Sequence, residues 1–488
     1  MAYLTGGTYQ THTNDFLPVV VTLLLTALIS SAIAILQWSD FLDKDSWAAG
    51  AAFLTPNQGT GRAVANIGHP NNLGTLLVIG LWCALWVAQQ PAAQRLGRHV
   101  RTLLLALVVA VLTFGVYLSG SRTAQLNLLL APMLTAAWLL WRHGHLRHAL
   151  LAWVAVPAAL LFAFQAATPV FTEWLGLPSP PEDRPLTQDS QRLRLWAMAW
   201  TAVLQHPWIG NGPAAMAQAH LELSPVYGAI DYSIAAHAHN TVLDLLLMFG
   251  LPAGGAIAAA VAWLWWRAAR GAHDPQRWLP WLMVTAMLVH ALLEYPLHYG
   301  FFLWLMCLLL GYLTGQPGRP VALRWPLATG IGWLLACALV AYPVWRGYVE
   351  VEKLYTLFRQ QGAAAVRAAL PDAHPFSKAL YPGLLARVDW LSRPAASLSN
   401  LTDAELAALE RTTRNYPLPG LLWRTAVAYG FRGDAQKAAW YGERLCAMFH
   451  PGLCKAAITD WPALGAGRAD WPELPWARWL LAPVPGRR

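Results

Sequence analysis

Runs of about twenty apolar residues constrain this chain more than any other feature, because a helix of that length crosses roughly 30 Å of hydrocarbon while satisfying its own backbone hydrogen bonds. Such runs stand near residues 16–37, 72–90, 102–119, 124–141, 149–168, 241–266, 278–293, 299–315 and 326–345. The composition agrees, with 56% hydrophobic residues, 12% charged residues, 27 tryptophans and a mean hydropathy of +0.37. These features predict an all-α fold, a polytopic transmembrane helix bundle of about nine spans, and exclude a soluble globular one. A net charge of +9, from 34 Lys and Arg against 25 Asp and Glu, does not point to nucleic acid, because the basic residues form short clusters between apolar runs.

Those clusters set the orientation. Arg95, Arg98 and Arg101 follow the second run, Arg142 and Arg147 the fourth, Arg267, Arg270 and Arg277 the sixth, and Arg319 and Arg324 the eighth. The positive-inside rule places these loops in the cytoplasm. The loops at 38–71 and 169–240, the Ser119-Gly120-Ser121-Arg122 turn, the Glu294-Tyr295-Pro296 break and everything after 346 then face outward. Residues 1–15, expected inside, contain no Lys or Arg and lack the basic start of a cleavable signal peptide. Either the rule is weak here, or the chain lacks further spans that preceded Phe16.

Charges return after residue 345, which divides the chain into a transmembrane domain at 1–345, carrying the outer loop 169–240, and a soluble helical domain at 346–488. Glu350, Glu352 and Lys353 fall on a helix expected to continue out of the ninth span. Further on, 421–430 and 435–441 form two helical patterns around Gly433-Asp434, similar to one tetratricopeptide hairpin; a generic helical domain is the plainer reading. Cys83, Cys307 and Cys337 lie in spans as small apolar residues. Cys446 and Cys454 would be about 12 Å apart on one continuous helix, beyond the ~7 Å reach of a disulfide. His450-Pro451-Gly452 interrupts that helix, so a disulfide and two free thiols both remain open.

Ionisable groups beside a bilayer are costly and mark functional sites, and five sets gather on the outward side. Asn66-Ile67-Gly68-His69-Pro70-Asn71-Asn72 enters the second span; capping explains one asparagine but hardly two with a histidine. Gly120-Ser121-Arg122-Thr123 joins two spans, where Arg122 either snorkels or serves a site. Asp189-Ser190-Gln191-Arg192-Leu193-Arg194-Leu195-Trp196 opens an amphipathic stretch in the 169–240 loop. Arginine clamps phosphate through paired hydrogen bonds, so Arg122 and Arg192 on separate elements suggest a diphosphate ligand. His237-Ala238-His239-Asn240 leads into the sixth span, with Gly250 after nine more residues. His290, Glu294, Tyr295, Pro296, His298 and Tyr299 surround a broken pair of spans, where Pro296 also simply ends a helix and the tyrosines suit an interfacial belt. His237 and His239, two apart, do not share a helix face, and no CxxC pair occurs, so no metal site is expected.

The ordered series Asn-x-Gly-His-Pro-Asn-Asn, Gly-Ser-Arg-Thr, Ser-x-Arg-x-x-Leu-Trp, His-x-His-Asn-x9-Gly and Leu-Glu-Tyr-Pro-Leu, spanning about 16–450, resembles the PglL-type protein O-oligosaccharyltransferases of Gram-negative bacteria. These pilin glycosylases belong to the O-antigen ligase and polymerase superfamily. The resemblance implies a catalytic histidine at His239 and diphosphate-binding arginines at Arg122 and Arg192; His237 would orient His239 or serve in its place. It departs from the family pattern at Ala253, where Gly, Thr or Tyr is usual, and at His69, where glutamine is common. Relatives also carry more N-terminal spans.

Implied with it is the en bloc transfer of an oligosaccharide from undecaprenyl diphosphate to a Ser or Thr hydroxyl of a pilin-like or other periplasmic protein. This would occur at the inner membrane, without cofactor or metal and without nucleic acid. A glycosyl diphosphate carries its own leaving group, so such a site needs cations for the departing diphosphate and a base for the acceptor hydroxyl. Asn71, Asn72, Asn240, Glu294 and Tyr295 would position these groups or the substrate. Two other readings compete. An O-antigen ligase would use the same donor with a lipid A–core acceptor, which the long C-terminal domain disfavours; a lipid-glycan or solute transporter would place charges along a pathway rather than at one face.

Overall fold

The computed structural model describes residues 13–39, 61–176, 190–230, 233–315 and 327–475. Asp189, Arg319, Arg324 and residues 40–60 of the 38–71 loop lie outside them. Helices stand at all nine apolar runs: α1 (Thr13–Trp38), α2 (Pro70–Val87), α3 (Arg98–Ser119), α4 (Arg122–His143), α5 (His148–Leu175), then α6 (Ser190–Gln205) and α7 (Ala215–Tyr227) in the 169–240 loop. They continue with α8 (Thr241–Gly271), α9 (Pro275–Leu293), α10 (Gly300–Thr314) and α11 (Leu327–Gln361). Among the described residues, six of these, α1 to α5 and α8, are both long and apolar enough to cross a membrane, and α10 is a shorter apolar helix. Beyond them lie α12 (Pro382–Ser392), α13 (Asp403–Asn415), α14 (Pro419–Phe431), α15 (Ala435–Met448) and α16 (Pro451–Leu464). The described residues contain no strand beyond one isolated bridge, Ile230 to Ser233.

The chain forms two compact units, which the helices do not divide in sequence order. The first contains α1–α5, residues 239–242, α8 from Ala256 onward, α9 and α10. Its centre is α2, buried from Asn71 to Trp86 and packed by α1, α3, α4 and α9. Glycine permits that crowding: a Cβ on Gly80 would stand 2.4 Å from the Ala27 Cβ, and one on Gly74 2.7 Å from the Ser121 Cβ. Apolar lipid gives helices no hydrophobic reason to associate, so such close backbone packing and interhelical hydrogen bonds must hold the bundle. Trp138, Trp278, Trp281 and Trp265 form a stacked series with centroids 4.6, 4.3 and 5.0 Å apart. Each indole N–H finds an oxygen, among them Thr135 Oγ1 for Trp278 at 3.0 Å and Ala272 O for Trp138 at 2.9 Å, as buried indoles require.

The second unit joins α6, α7, residues 243–255 of α8, and the C-terminal helices. The 169–240 loop from Ser190 onward therefore folds with the C-terminal segment. Leu221 of α7 enters the core formed by Leu409, Leu421, Leu422, Tyr441 and Trp461, and Glu222 pairs with Arg414 at 3.4 Å. The helix α11 runs unbroken from the ninth apolar run to Gln361, as expected, so position 345 falls inside it. The expected hairpin is formed by α14 and α15: Gly433 takes φ 70°, Asp434 accepts the Lys437 N–H, and Tyr429 stacks on Tyr441 at 6.0 Å. Both tyrosine hydroxyls donate to Glu410. Burial pushes the Glu410 carboxyl up, but those hydrogen bonds and the charges of Lys437 and Arg414 outweigh it and leave the pKa lowered.

Cys446 and Cys454 form a disulfide across the break between α15 and α16, with Cα atoms 4.8 Å apart. His450 and Pro451 supply that break: α16 starts at Pro451, and the His450 ring accepts the Gly452 N–H. Non-reducing peptide mapping is expected to find this pair linked and Cys83, Cys307 and Cys337 as thiols. Replacing both bridged cysteines by serine should cost the second unit about 2 kcal/mol, read in its denaturation midpoint.

Candidate functional site

In the first unit, polar groups from four stretches far apart in sequence meet at the start of α2. His69 is the N-cap residue in extended conformation, its side chain caps nothing, and Pro70 opens the helix. Neither asparagine is a cap, since both lie inside the helix and are buried. Asn71 Nδ2 donates to Glu294 Oε1 at 2.9 Å, while its Oδ1 accepts from Arg62 Nη2 at 2.8 Å. Arg62 Nε also donates to Ser119 O at 2.9 Å, at the end of α3 and beside the Gly-Ser-Arg-Thr turn. One turn along α2, Thr75 Oγ1 and His290 Nδ1 are 2.8 Å apart. Asn72 is buried next in sequence to Asn71.

Glu294 ends α9 with extended backbone, followed by a 3-10 turn at Pro296–His298. A carboxylate at a helix C-terminus opposes the helix dipole, but this one lies against the second residue of α2, at the positive end of that helix. His239 Nδ1 is 3.3 Å from Glu294 Oε2, an ion-pair distance whose angle falls short of a hydrogen bond. Tyr295 presents its ring edge-to-face to His239, with centroids 5.0 Å apart at 82°. Thr241 Oγ1 donates to the Glu294 carbonyl at 3.4 Å, and Asn240 Oδ1 accepts the Val242 N–H at 3.0 Å, capping α8. His239 itself has φ 53°, a left-handed conformation that a side chain adopts at a cost and that favours functional sites.

His69 lies in the same electrostatic neighbourhood. Burial lowers its pKa; the Glu294 carboxylate pulls the other way, while Arg62 and His239 add to the lowering. Its Nδ1 is buried with no hydrogen-bond partner among the described residues. Arg122 is the first residue of α4, half-buried, behind Ser121, whose hydroxyl accepts the Ala124 N–H at 3.2 Å. Arg62, His69, Asn71, Asn72, Arg122, His239, Glu294 and Tyr295 thus belong to the same unit.

Arg192 and His237 belong to the second. Arg192 is half-buried in the first turn of α6. The two histidines of the His-Ala-His motif serve different carboxylates: His237 Nδ1 is 3.7 Å from Asp244 Oδ2, and Asp244 Oδ1 accepts the Ala238 N–H at 2.8 Å. Upstream, fully buried His220 accepts the Ala235 N–H at 3.2 Å. Burial holds its pKa down to about 4, against a pull upward from the Gly228 carbonyl, so the ring is neutral and able to accept.

Gly250 takes φ 75° and ψ 173°, kinking α8. Onto this kink docks the Pro207–Gly212 turn: Leu251 N–H donates to Pro207 O at 2.7 Å, Asn211 N–H to Leu247 O at 2.8 Å, and Gly212 N–H to Met248 O at 3.1 Å. A Cβ on Gly250 would lie 2.6 Å from the Trp208 carbonyl, and one on Gly210 2.5 Å from the Gly250 nitrogen. The glycine of the His-Asn-x9-Gly pattern thus serves both a left-handed backbone and a close approach.

Arg62 and Asp244 were not among the residues singled out by sequence. Arg62 stands as a lone cation shortly before the Asn-x-Gly-His-Pro-Asn-Asn motif, and Asp244 as a lone carboxylate in an apolar run; in each case isolation is the signal.

Residues 105–257 match the O-antigen ligase family, a stretch that holds Arg122, Arg192, His237, His239 and Gly250. Residues 278–461, with Glu294 and Tyr295, match the family described as virulence factor membrane-bound polymerase, C-terminal. The general O-oligosaccharyltransferase of Acinetobacter baylyi is 30% identical over 415 residues, covering 81% of this chain and 67% of that protein. A ComP-specific O-oligosaccharyltransferase from the same organism is 26% identical over 280 residues, 54% of this chain and 46% of the relative. No solved structure matches the chain.

Gly250→Ala is expected to loosen the docked turn by about 1–3 kcal/mol, read as faster proteolysis within 206–212. Gly255→Ala, where nothing stands within 4 Å of the added Cβ, should leave the cleavage rate unchanged.

Proposed function

Because the chain belongs to the PglL-type protein O-oligosaccharyltransferases of the O-antigen ligase superfamily, we propose that it transfers a preassembled oligosaccharide from undecaprenyl diphosphate to a Ser or Thr hydroxyl of a pilin-like or other exported protein. The observation that carries this reading is the Glu294–His239 pair. A proton on Nδ1, facing the carboxylate, leaves Nε2 as the basic nitrogen, and the carboxylate stabilises the imidazolium once formed.

In this reaction the acceptor oxygen attacks the anomeric carbon and its proton passes to His239 Nε2. The bond from that carbon to the diphosphate oxygen breaks, and undecaprenyl diphosphate departs with the electron pair. Arg122 and Arg192 neutralise the charge that develops on the leaving group, so the chemistry is metal-independent. Arg62 holds Asn71, Asn71 holds Glu294, and Tyr295 limits the tilt of the His239 ring. His237 takes a supporting role, held by Asp244 in the segment that leads to His239.

The site is assigned to the periplasmic face of a Gram-negative inner membrane. Two features support this: the basic clusters after the second, fourth and sixth apolar runs mark the opposite side, and the Cys446–Cys454 bridge suits an oxidising compartment. The match of residues 105–257 to the O-antigen ligase family favours a second reading, ligation to lipid A–core. The outer loop that folds with a helical C-terminal segment is better suited to a protein acceptor.

His239→Ala and His239→Gln, at normal membrane levels, are expected to lower acceptor glycosylation by about 10²–10⁴-fold. Glu294→Gln should lower it less, because the neutral amide no longer stabilises the imidazolium that forms during transfer. Parental rates in the His239 variants would overturn the assignment. Glycan on lipid A–core and none on protein would select the second reading.

A further inference from the structure

The helix α6 has two apolar faces, and one of them is uncovered among the described residues. Leu195, Met198, Ala199, Ala202 and Val203 are buried with Met216 of α7 and Leu247 of α8. Leu193, Ala197, Trp200 and Leu204 recur at helical spacing on another face, and all are exposed. The stripe leads into Trp208 and Ile209, which are 76% and 85% exposed. Large apolar side chains this exposed, in a continuous strip, mark a surface with a partner.

The backbone around them says which partner. The Trp208–Ile209 tip is not a free loop, because three backbone hydrogen bonds fix it to residues 247–251 of α8, a helix long and apolar enough to cross the membrane. The kink at Gly250 separates a first segment holding buried Asp244 from the apolar stretch that runs to Arg267. From Leu251 to Arg267 the helix rises about 24 Å at ~1.5 Å per residue, most of the roughly 30 Å hydrocarbon thickness. With that stretch as the span, the docked tip would stand where α8 leaves the hydrocarbon. Phe249 and Leu251, beside the kink that the tip is bonded to, are exposed as well. Tryptophan favours this depth, with its ring in the apolar boundary and its N–H toward water. From Ser190 to Leu221 the sequence holds Arg192 and Arg194 and no acidic residue, a charge pattern that suits anionic headgroups.

We propose that α6 and the Trp208–Ile209 turn form a monotopic membrane-seated element, with the Leu193–Leu204 stripe and the tip in contact with bilayer lipid. The second unit would then be anchored to the membrane surface by α6 as well as by α8 and α11, and Arg192 would be carried at headgroup level. This reading does not depend on the reaction catalysed.

The test is site-directed spin labelling of the full chain in vesicles of phosphatidylethanolamine and phosphatidylglycerol. Cys83, Cys307 and Cys337 are replaced by alanine, the disulfide is kept, and single nitroxides are placed through Leu204→Cys and Ile209→Cys. Trp263→Cys provides the lipid reference and exposed Asp460→Cys the aqueous one. Collision with oxygen, relative to a water-soluble nickel chelate, is expected to be severalfold higher at 204 and 209 than at 460, and similar to that at 263. Leu193→Cys and Trp200→Cys should repeat the pattern, which guards against a local misfold. Preference for the nickel chelate at these positions would overturn the proposal by placing the face in water. Shielding from both reagents would overturn it by placing the face against protein.

Discussion

A buried carboxylate at the end of an apolar bundle is the constraint on which the candidate site depends. Glu294 is 5% exposed, and an uncompensated charge so placed would cost several kcal/mol. Three features offset that cost: the Asn71 amide, the positive end of α2, and the imidazole of His239. Each also fixes a position. Asn71 is itself held by Arg62, which ties the pair to the end of α3 beside the Gly-Ser-Arg-Thr turn. The electrostatic demand of one side chain thereby organises residues separated by more than two hundred positions in sequence.

The backbone meets that demand with local strain. His239 sits at φ 53° between Ala238, whose N–H is claimed by Asp244, and Asn240, which caps α8. Those two hydrogen bonds clamp the chain on either side of the histidine and compensate a conformation that non-glycine residues avoid. Gly250 does the complementary work in the second unit. Its left-handed backbone and missing side chain let the Pro207–Gly212 turn hydrogen-bond directly to α8. The spacing of His, Asn and Gly in this motif is thus the spacing between a helix cap and the kink in that same helix.

The spans, the helical character of the C-terminal segment and the polar sets that gather around α2 were legible in the sequence because each is local. Apolar length marks a span, Gly-Asp marks a turn, and an ionisable residue in an apolar run marks a site. Pairing was not legible. Nothing in His-Ala-His-Asn tells which imidazole faces Glu294 and which Asp244, because alternate residues diverge and the partners come from different helices. An asparagine just ahead of an apolar run suits a helix cap, yet Pro70 at the first helical position sets Asn71 and Asn72 inside the helix, where Asn71 bonds a carboxylate. The 169–240 loop folds with the C-terminal helices through Leu221 and the Glu222–Arg414 pair, contacts that periodicity within either segment does not reveal.

The central claim is that Glu294 acts through His239 rather than independently of it. A double-mutant cycle on the rate of glycan transfer to a protein acceptor, comparing His239→Ala, Glu294→Gln and the double variant, addresses it most directly. The account predicts that Glu294→Gln slows transfer in the parent and adds no further loss once His239 is alanine. Equal fold-losses from Glu294→Gln in both backgrounds would contradict it, because the carboxylate would then serve the reaction without the imidazole.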